Sequence, residues 1–366
     1  MLRADVRRFL REERAAGRFE ARPNGWMRHD AAFSARCGGR GFIGLTLPER
    51  YGGHGRSALD RYIVCEEMLA AGAPLGAHWI ADRQSGPQIA RHGSELLKQT
   101  VLPRITAGRC CFGIGMSESN AGSDLASVKT RAEQVEGGWR LHGTKLWTSH
   151  AHRADYVIVL ARTAPAGEDR RSGLSQFVVD MKLPGVHASP IEDLTGGRDF
   201  CEVVFDDVAI GADYLLGHPG DGWKLVVGEL AFERSGPDRF LSTFPLLGAA
   251  AAALAGAANP SACAGIGRMT SHLSALRHMS MGIAATLEAG ESPEIEAALT
   301  KDLGTTLEQE LAEVVRALVR GPAGVPCTPF LREAIDEATL AAPSFSLRGG
   351  TREILRGIIA RELGMR

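Results

Sequence analysis

The residues best suited to chemistry lie between Cys111 and Ser149. The stretch from Cys111 to Asp124 reads CFGIGMSESNAGSD, a short apolar run that breaks into small polar residues. Such a break presents close-packed backbone amides and hydroxyls with little bulk in front of them. That surface suits a flat, polar, phosphate-bearing cofactor. Further on, Trp139 to Ser149 reads WRLHGTKLWTS and sets indole rings among hydroxyl donors. Those groups suit a site that stacks on an aromatic ring and hydrogen-bonds its edge. Taken alone, a Gly/Ser/Asn turn is equally well an ordinary loop, and the residues leave both readings open.

The elements that must position these residues fall into three textures. Residues 1–108 are helical, with apolar positions recurring at three and four in VRRFLREERAAG and ALDRYIVCEEMLAAGAP. A generic helical domain fits that periodicity. Residues 109–216 turn to β-branched and alternating runs at Tyr156 to Ala161, Gln176 to Asp180 and Cys201 to Phe205, parted by Gly, Pro and Asp. They predict a compact, barrel-like β-domain. Residues 217–366 return to long Ala/Leu-rich helical stretches suited to a bundle. The fold class is α+β, in the order helices, β-domain, helices.

At 366 residues, 44% hydrophobic and 23% charged, the chain has material for two or three packed domains. Forty-two basic against 43 acidic residues give a net charge of −1, which argues against nucleic acid or an anionic membrane as a partner. The 36 Arg against six Lys, with abundant Ala, point to a GC-rich bacterial genome. Seven cysteines without a CxxC spacing read as reduced, mostly buried thiols, and no metal site is expected. The Arg-rich segment Met1 to Glu20 looks like a transit peptide, but Asp5, Glu12 and Glu13 argue against that. No apolar run is as long as a membrane span, so a cytoplasmic location is expected.

Ser117 to Asp124, SESNAGSD, followed by Gly143-Thr-Lys-Leu-Trp147-Thr-Ser149, resembles the paired flavin-contacting signatures of the acyl-CoA dehydrogenase family, T-E-P-x-A-G-S-D and G-x-K-x-W-I-T-N. The resemblance extends over nearly the whole chain. Gly41 to Gly53 resembles the first inter-helix loop, Leu97 to Gly108 the helix before the flavin strand, and Leu194 to Gly217 the later β-region. It implies an N-terminal helical domain, a middle β-domain and a C-terminal helical bundle, with FAD as cofactor. Met116, Ser117, Trp147 and Ser149 would line the isoalloxazine. Thr351 and Glu353 would approach the cofactor from the C-terminal end, and Ser123 would lie near the pantetheine arm. Ser at 117 and 149 keeps the hydroxyl of the usual Thr, and Ser119 and His150 are turn changes.

The implied reaction is α,β-desaturation of an acyl thioester, on coenzyme A or an acyl-carrier protein, with electron-transfer flavoprotein or a similar acceptor downstream. It needs a base for the α-proton and a hydride acceptor for the β-hydrogen. The family's common base is a Glu before Gly-Thr near the C-terminus, and here Gly349 takes that place. A subset of the family carries the base on the first long helix of the C-terminal bundle, where this chain has Ala231-Phe-Glu233-Arg234. Glu233 is therefore the catalytic base on this resemblance. On the residues alone, Glu229 and Glu233 are an exposed i,i+4 pair. Gly349 would act through its N–H on the thioester carbonyl, and its missing side chain would widen the pocket.

Two further departures concern the cofactor. The family's Arg-x-x-Phe-Gly segment, which reaches the flavin pyrophosphate of a neighbouring subunit, is absent from Gly248 to Gly267. Val319 to Gly324 stands where Gln-x-x-Gly-Gly is usual. A dimer or tetramer is expected, or assembly with a related subunit. The alternatives are a flavin-poor partner subunit of a heteromer and a flavin oxidase or N-hydroxylase on the same fold.

Overall fold

The computed structural model describes residues 1–255, 259–320 and 325–365, with the backbone alone at 230–232. Within the stretches Gly248 to Gly267 and Val319 to Gly324, residues 256–258 and 321–324 therefore lie outside the described residues. The chain divides into two compact units, 1–27 with 57–74 and 231–366, and 28–56 with 75–230.

The first unit is helical. Its amino-terminal helix α1 (Leu2–Ala15) buries Val6, Phe9, Leu10 and Glu13, one stripe at helical spacing. Two arginines of this helix reach α3 (Ala58–Ala70): Arg3 and Arg7 both pair with Glu67. The remaining helices are α7 (Phe244–Leu254), α8 (Pro260–Glu288), α9 (Glu294–Arg320), α10 (Pro329–Phe345) and α11 (Arg352–Glu362). Asn259, Thr328 and Thr351 cap α8, α10 and α11, each side chain accepting a backbone N–H three residues on. The packing of α9 against α8, α10 and α11 builds a bundle.

The second unit carries α2 (Ala31–Gly39), α4 (Gly86–His92), α5 (Glu95–Thr106) and an eight-stranded sheet. Its strands are β1 (Phe112–Gly115), β2 (Arg131–Val135), β3 (Gly138–Ser149), β4 (Tyr156–Arg162), β5 (Leu174–Asp180), β6 (Val186–Ile191), β7 (Phe200–Gly211) and β8 (Leu215–Leu216). They run in the order β6-β7-β3-β2-β4-β5-β8, with β1 parallel to β4. Strand β4 is an unbroken apolar run because both its faces are covered. Val157, Val159 and Ala161 enter one core with Phe177, Val179, Cys201, Val203 and Phe205. Leu160 faces the other way, in a second cluster with Ala121, Val128, Leu174 and Val226.

Helix α6 (Gly222–Ser235) begins in the second unit and ends in the first. Five of the seven cysteines are buried, Cys263 is exposed and Cys327 half-exposed. No helix among the described residues is long and apolar enough to cross a membrane.

Candidate active site

In the second unit the two signatures are bound to each other. Lys145 of β3 is wholly buried. Its Nζ donates to the Glu118 carboxylate at 2.8 Å and to the Met116 carbonyl at 3.0 Å. One residue on, the Leu146 N–H donates to the Ser117 carbonyl at 2.9 Å. Glu118 also accepts the backbone N–H groups of Lys129 and Thr130, at 2.7 and 2.9 Å. The Lys145–Glu118 pair therefore ties the start of the loop after β1 both to β3 and to the backbone at 129–130. Burial pulls the Lys145 ammonium down to about 8 against the pull of Glu118. Burial works the other way on Glu118, but Lys145 and the backbone donors hold its carboxyl below the ordinary carboxylate value.

Strand β3 loses register with β7 between Lys145 and Thr148, and Trp147 sits in that bulge at φ +63°. A left-handed bulky residue inside a strand costs free energy, and such strain collects where a side chain must be re-aimed. Here it leaves the indole 54% exposed, edge-on to Phe200 at 6.3 Å between ring centroids. Thr148 and Ser149 then resume pairing with Cys201 and Phe200. Strand β1 runs so close that a Cβ on Gly113 would stand 3.1 Å from the Ser149 carbonyl. His150 is left-handed at φ +53°, a conformation open to Asn and His, which accounts for the exchange of one for the other.

The second unit thus brings Met116, Ser117, Trp147 and Ser149 to one region around β1 and β3. Met116 is half-buried against the Leu160 and Val226 cluster. Ser119, Asn120, Gly122 and Ser123 are exposed, and a Cβ on Gly122 would meet nothing within 4 Å. An exposed indole held in a strained bulge beside an open, hydroxyl-rich turn fits a cofactor with a flat ring and a polar tail.

The first unit gathers a different set. Glu233, near the end of α6, accepts Nη2 of Arg239 on its carboxylate at 3.1 Å, while Nε of the same guanidinium donates to the Glu233 carbonyl at 2.8 Å. Arg234 donates through Nε to the Gly349 carbonyl at 3.1 Å. Gly349 and Gly350 take φ of +69° and +97°, which favour glycine. A Cβ on Gly349 would stand 3.2 Å from Arg239 Nη2, and one on Gly350 would stand 3.3 Å from Arg234 Nη2. The expectation that Gly349 widens a pocket is corrected here, because the guanidinium already fills the space along its Cβ direction.

The loop that carries Gly349 is tied at both ends. Lys301 Nζ donates to the Phe345 carbonyl at 2.8 Å, and Arg348 pairs with Glu308 and lies over the rings of Trp26 and Phe345. Thr351 caps α11 with its hydroxyl, Arg352 reaches Asp302 at 2.7 Å, and Glu353 is exposed in the first turn. Glu233 and Glu229 are not an exposed pair. Glu229 is 4% exposed, with Gln84 Nε2 at 3.5 Å, and Glu233 is mostly covered.

Sequence reasoning passed over Lys145, Glu118 and Arg239. The first two carry a readable signal, since the first signature holds the acids Glu118 and Asp124 and the second a single base, Lys145. Arg239 gives none, because its partners come from a turn of chain and from a loop 110 positions away.

The second unit offers an exposed aromatic beside a hydroxyl-rich turn and the first a carboxylate held near a helix end, groups suited to an oxidoreductase of helical and β elements. Family models agree with that class over most of the chain. The acyl-CoA dehydrogenase N-terminal domain matches residues 1–109, the middle domain 113–208 and the C-terminal domain 249–364. The chain belongs to the acyl-CoA dehydrogenase family, whose members are generally FAD-dependent.

Acyl-CoA dehydrogenase IpdE1 of Mycolicibacterium smegmatis is 32% identical over 363 residues, 95% of this chain and 89% of that protein. Its counterpart in Mycobacterium tuberculosis is 38% identical over 240 residues, 63% of this chain and 62% of that protein. Among solved structures, the Tcur3481-Tcur3483 steroid ACAD matches with a TM-score of 0.87 at 27% identity, covering 100% of this chain and 97% of that one. The ChsE4-ChsE5 complex from Mycobacterium tuberculosis matches with a TM-score of 0.83 at 27% identity, again covering 100% and 97%. Acyl-CoA dehydrogenation is the activity these likenesses support in general terms.

Proposed function

We propose that the chain is an FAD-dependent acyl-thioester dehydrogenase in which Glu233 is the base. The observation that carries the reading is the grip of Arg239 on both Glu233 and the space at Gly349, which joins the α6 carboxylate to the position of the family's common base. Glu233 takes the α-proton on a carboxylate oxygen, and the Gly349 N–H donates to the thioester carbonyl as negative charge develops there. Trp147 stacks on the cofactor ring, Met116, Ser117 and Ser149 line it, Ser123 lies near the pantetheine arm, and Thr351 and Glu353 complete the contacts. FAD, when bound, supplies the acceptor for the β-hydride. The substrate is an acyl-CoA or acyl-carrier-protein thioester, and electron-transfer flavoprotein or a similar carrier takes the electrons.

Glu233→Gln tests this reading. Gln keeps volume and a carbonyl but takes no proton at neutral pH, so turnover should fall by about 10²–10⁴-fold with the flavin-to-chain ratio unchanged. If the variant bleaches its flavin under added thioester as fast as the parent, the base lies elsewhere and Glu353 is the next to replace. Glu229→Gln is not a neutral control, because Glu229 is buried.

A second reading is that of one half of a heteromer. It is favoured by the absent Arg-x-x-Phe-Gly segment and by relatives solved as ChsE4-ChsE5 and Tcur3481-Tcur3483. A flavin-to-chain ratio that rises from near zero only on mixing with a related chain would select it.

A further inference from the structure

We propose that Arg239 is the positioning residue of the Glu233 carboxylate, and that it stands in for the side chain that position 349 lacks. The proposal rests on the reading of Glu233 as base. One guanidinium holds two parts of one residue, its Nε on the Glu233 carbonyl at 2.8 Å and its Nη2 on the Glu233 carboxylate at 3.1 Å. This double hold fixes the carboxylate relative to the helix end that carries it, so its direction no longer depends on free side-chain rotation. A lysine ammonium, a point charge without the planar fork, cannot hold both atoms with that geometry.

Arg239 is itself immobilised. It is 2% exposed, and its Nε lies 3.3 Å from a carboxylate oxygen of the fully buried Asp238. Helix α9 presses on its main chain at Gly304, where a Cβ would come within 2.3 Å of the Arg239 carbonyl. A buried guanidinium is costly unless its partners are fixed, and these contacts make it a rigid support for Glu233.

The third observation couples the two departures from the family's pattern. An ideal Cβ on Gly349 would stand 3.2 Å from Nη2 and 3.3 Å from Cζ of Arg239. A glutamate at 349 would displace the guanidinium or compete with Glu233 for it. The loss of the side chain at 349 and the base on α6 are therefore one exchange, with Arg239 occupying the vacated space.

The test isolates proton abstraction from oxidation. 3,3-Dimethylbutanoyl-CoA has α-hydrogens but none on Cβ. In D₂O, the Cα–H bond breaks as the proton passes to Glu233, the electron pair moves toward the thioester oxygen, and a deuteron returns to Cα from the exchanged carboxyl. The α-proton NMR signal then decays, and the rate is taken per flavin-bearing chain. Wild type should exchange and Glu233→Gln should not. Arg239→Lys should exchange on the order of 10- to 100-fold more slowly, the scale of loss for a misplaced catalytic group. Gly349→Ala, whose methyl crowds Nη2, should be slowed in the same direction without removing any charged group.

A purely structural role for Arg239 would lower the melting temperature or flavin content while leaving the exchange rate per flavin-bearing chain unchanged. Such a result, with Glu233→Gln silent, overturns the positioning role and spares the base. If Arg239→Lys does not fold, wild-type exchange by folded Gly349→Ala overturns the proposal. Exchange by Glu233→Gln at the wild-type rate overturns both.

Discussion

Lys145→Met removes the charge that joins the two signatures and keeps the aliphatic stem, which packs under Gly115 at 3.3 Å from the position of a Cβ there. The Met116 carbonyl loses its charged donor, and Glu118 loses the ammonium 2.8 Å away. Removing one partner of a buried ion pair costs about 3–5 kcal/mol. Glu118 keeps two backbone donors and its side chain is 11% exposed, so the expected loss lies at the low end, about 3 kcal/mol. Urea unfolding at pH 7, followed by tryptophan fluorescence, measures it. Lys145→Met/Glu118→Gln should recover part of the loss, because the second change discharges the stranded carboxylate, and the cycle should show coupling above about 0.5 kcal/mol. A single-variant loss below about 1 kcal/mol with additive behaviour in the double variant would refute the clamp.

Burial, helped by Arg239 and Arg348, lowers the Lys301 ammonium from 10.5 to about 7. Between those values the unfolded chain binds the extra proton, so this residue makes stability rise with pH, by at most about 1.4 kcal/mol per pH unit. Lys301→Met should lack that increment when urea midpoints are compared at pH 7 and pH 9, and equal slopes would count against it. Trp147→Ala removes an exposed ring, so stability should change by under about 0.5 kcal/mol while the flavin-to-chain ratio falls. An unaltered ratio and unaltered flavin affinity would take the indole out of the cofactor site.

Local features were legible from residue order alone. Helical periodicity marked the apolar stripe Val6, Phe9 and Leu10, and β-branched runs marked β4, β5 and the start of β7, because burial acts on the nearest few residues at a period of 3.6 or 2. Two signatures of fixed residue type pointed to the family, because close backbone approach and hydroxyl donors at a cofactor require small and hydroxylic residues in order. Strand order was not legible, since the pairing of β1 with β4 across β2 and β3 is set by contacts distant along the chain.

Nor were the details that give the site its chemistry. The signature names Trp147, but only the bulge against β7 turns it left-handed and outward. Glu233 and Glu229 look alike on a helical wheel, yet one meets Arg239 and the other is buried beside Gln84. Gly349 reads as lost bulk, whereas the folded chain places a guanidinium there. In each case the deciding partner lies on another element, and charge, burial and free space at a side chain are fixed only when those elements pack.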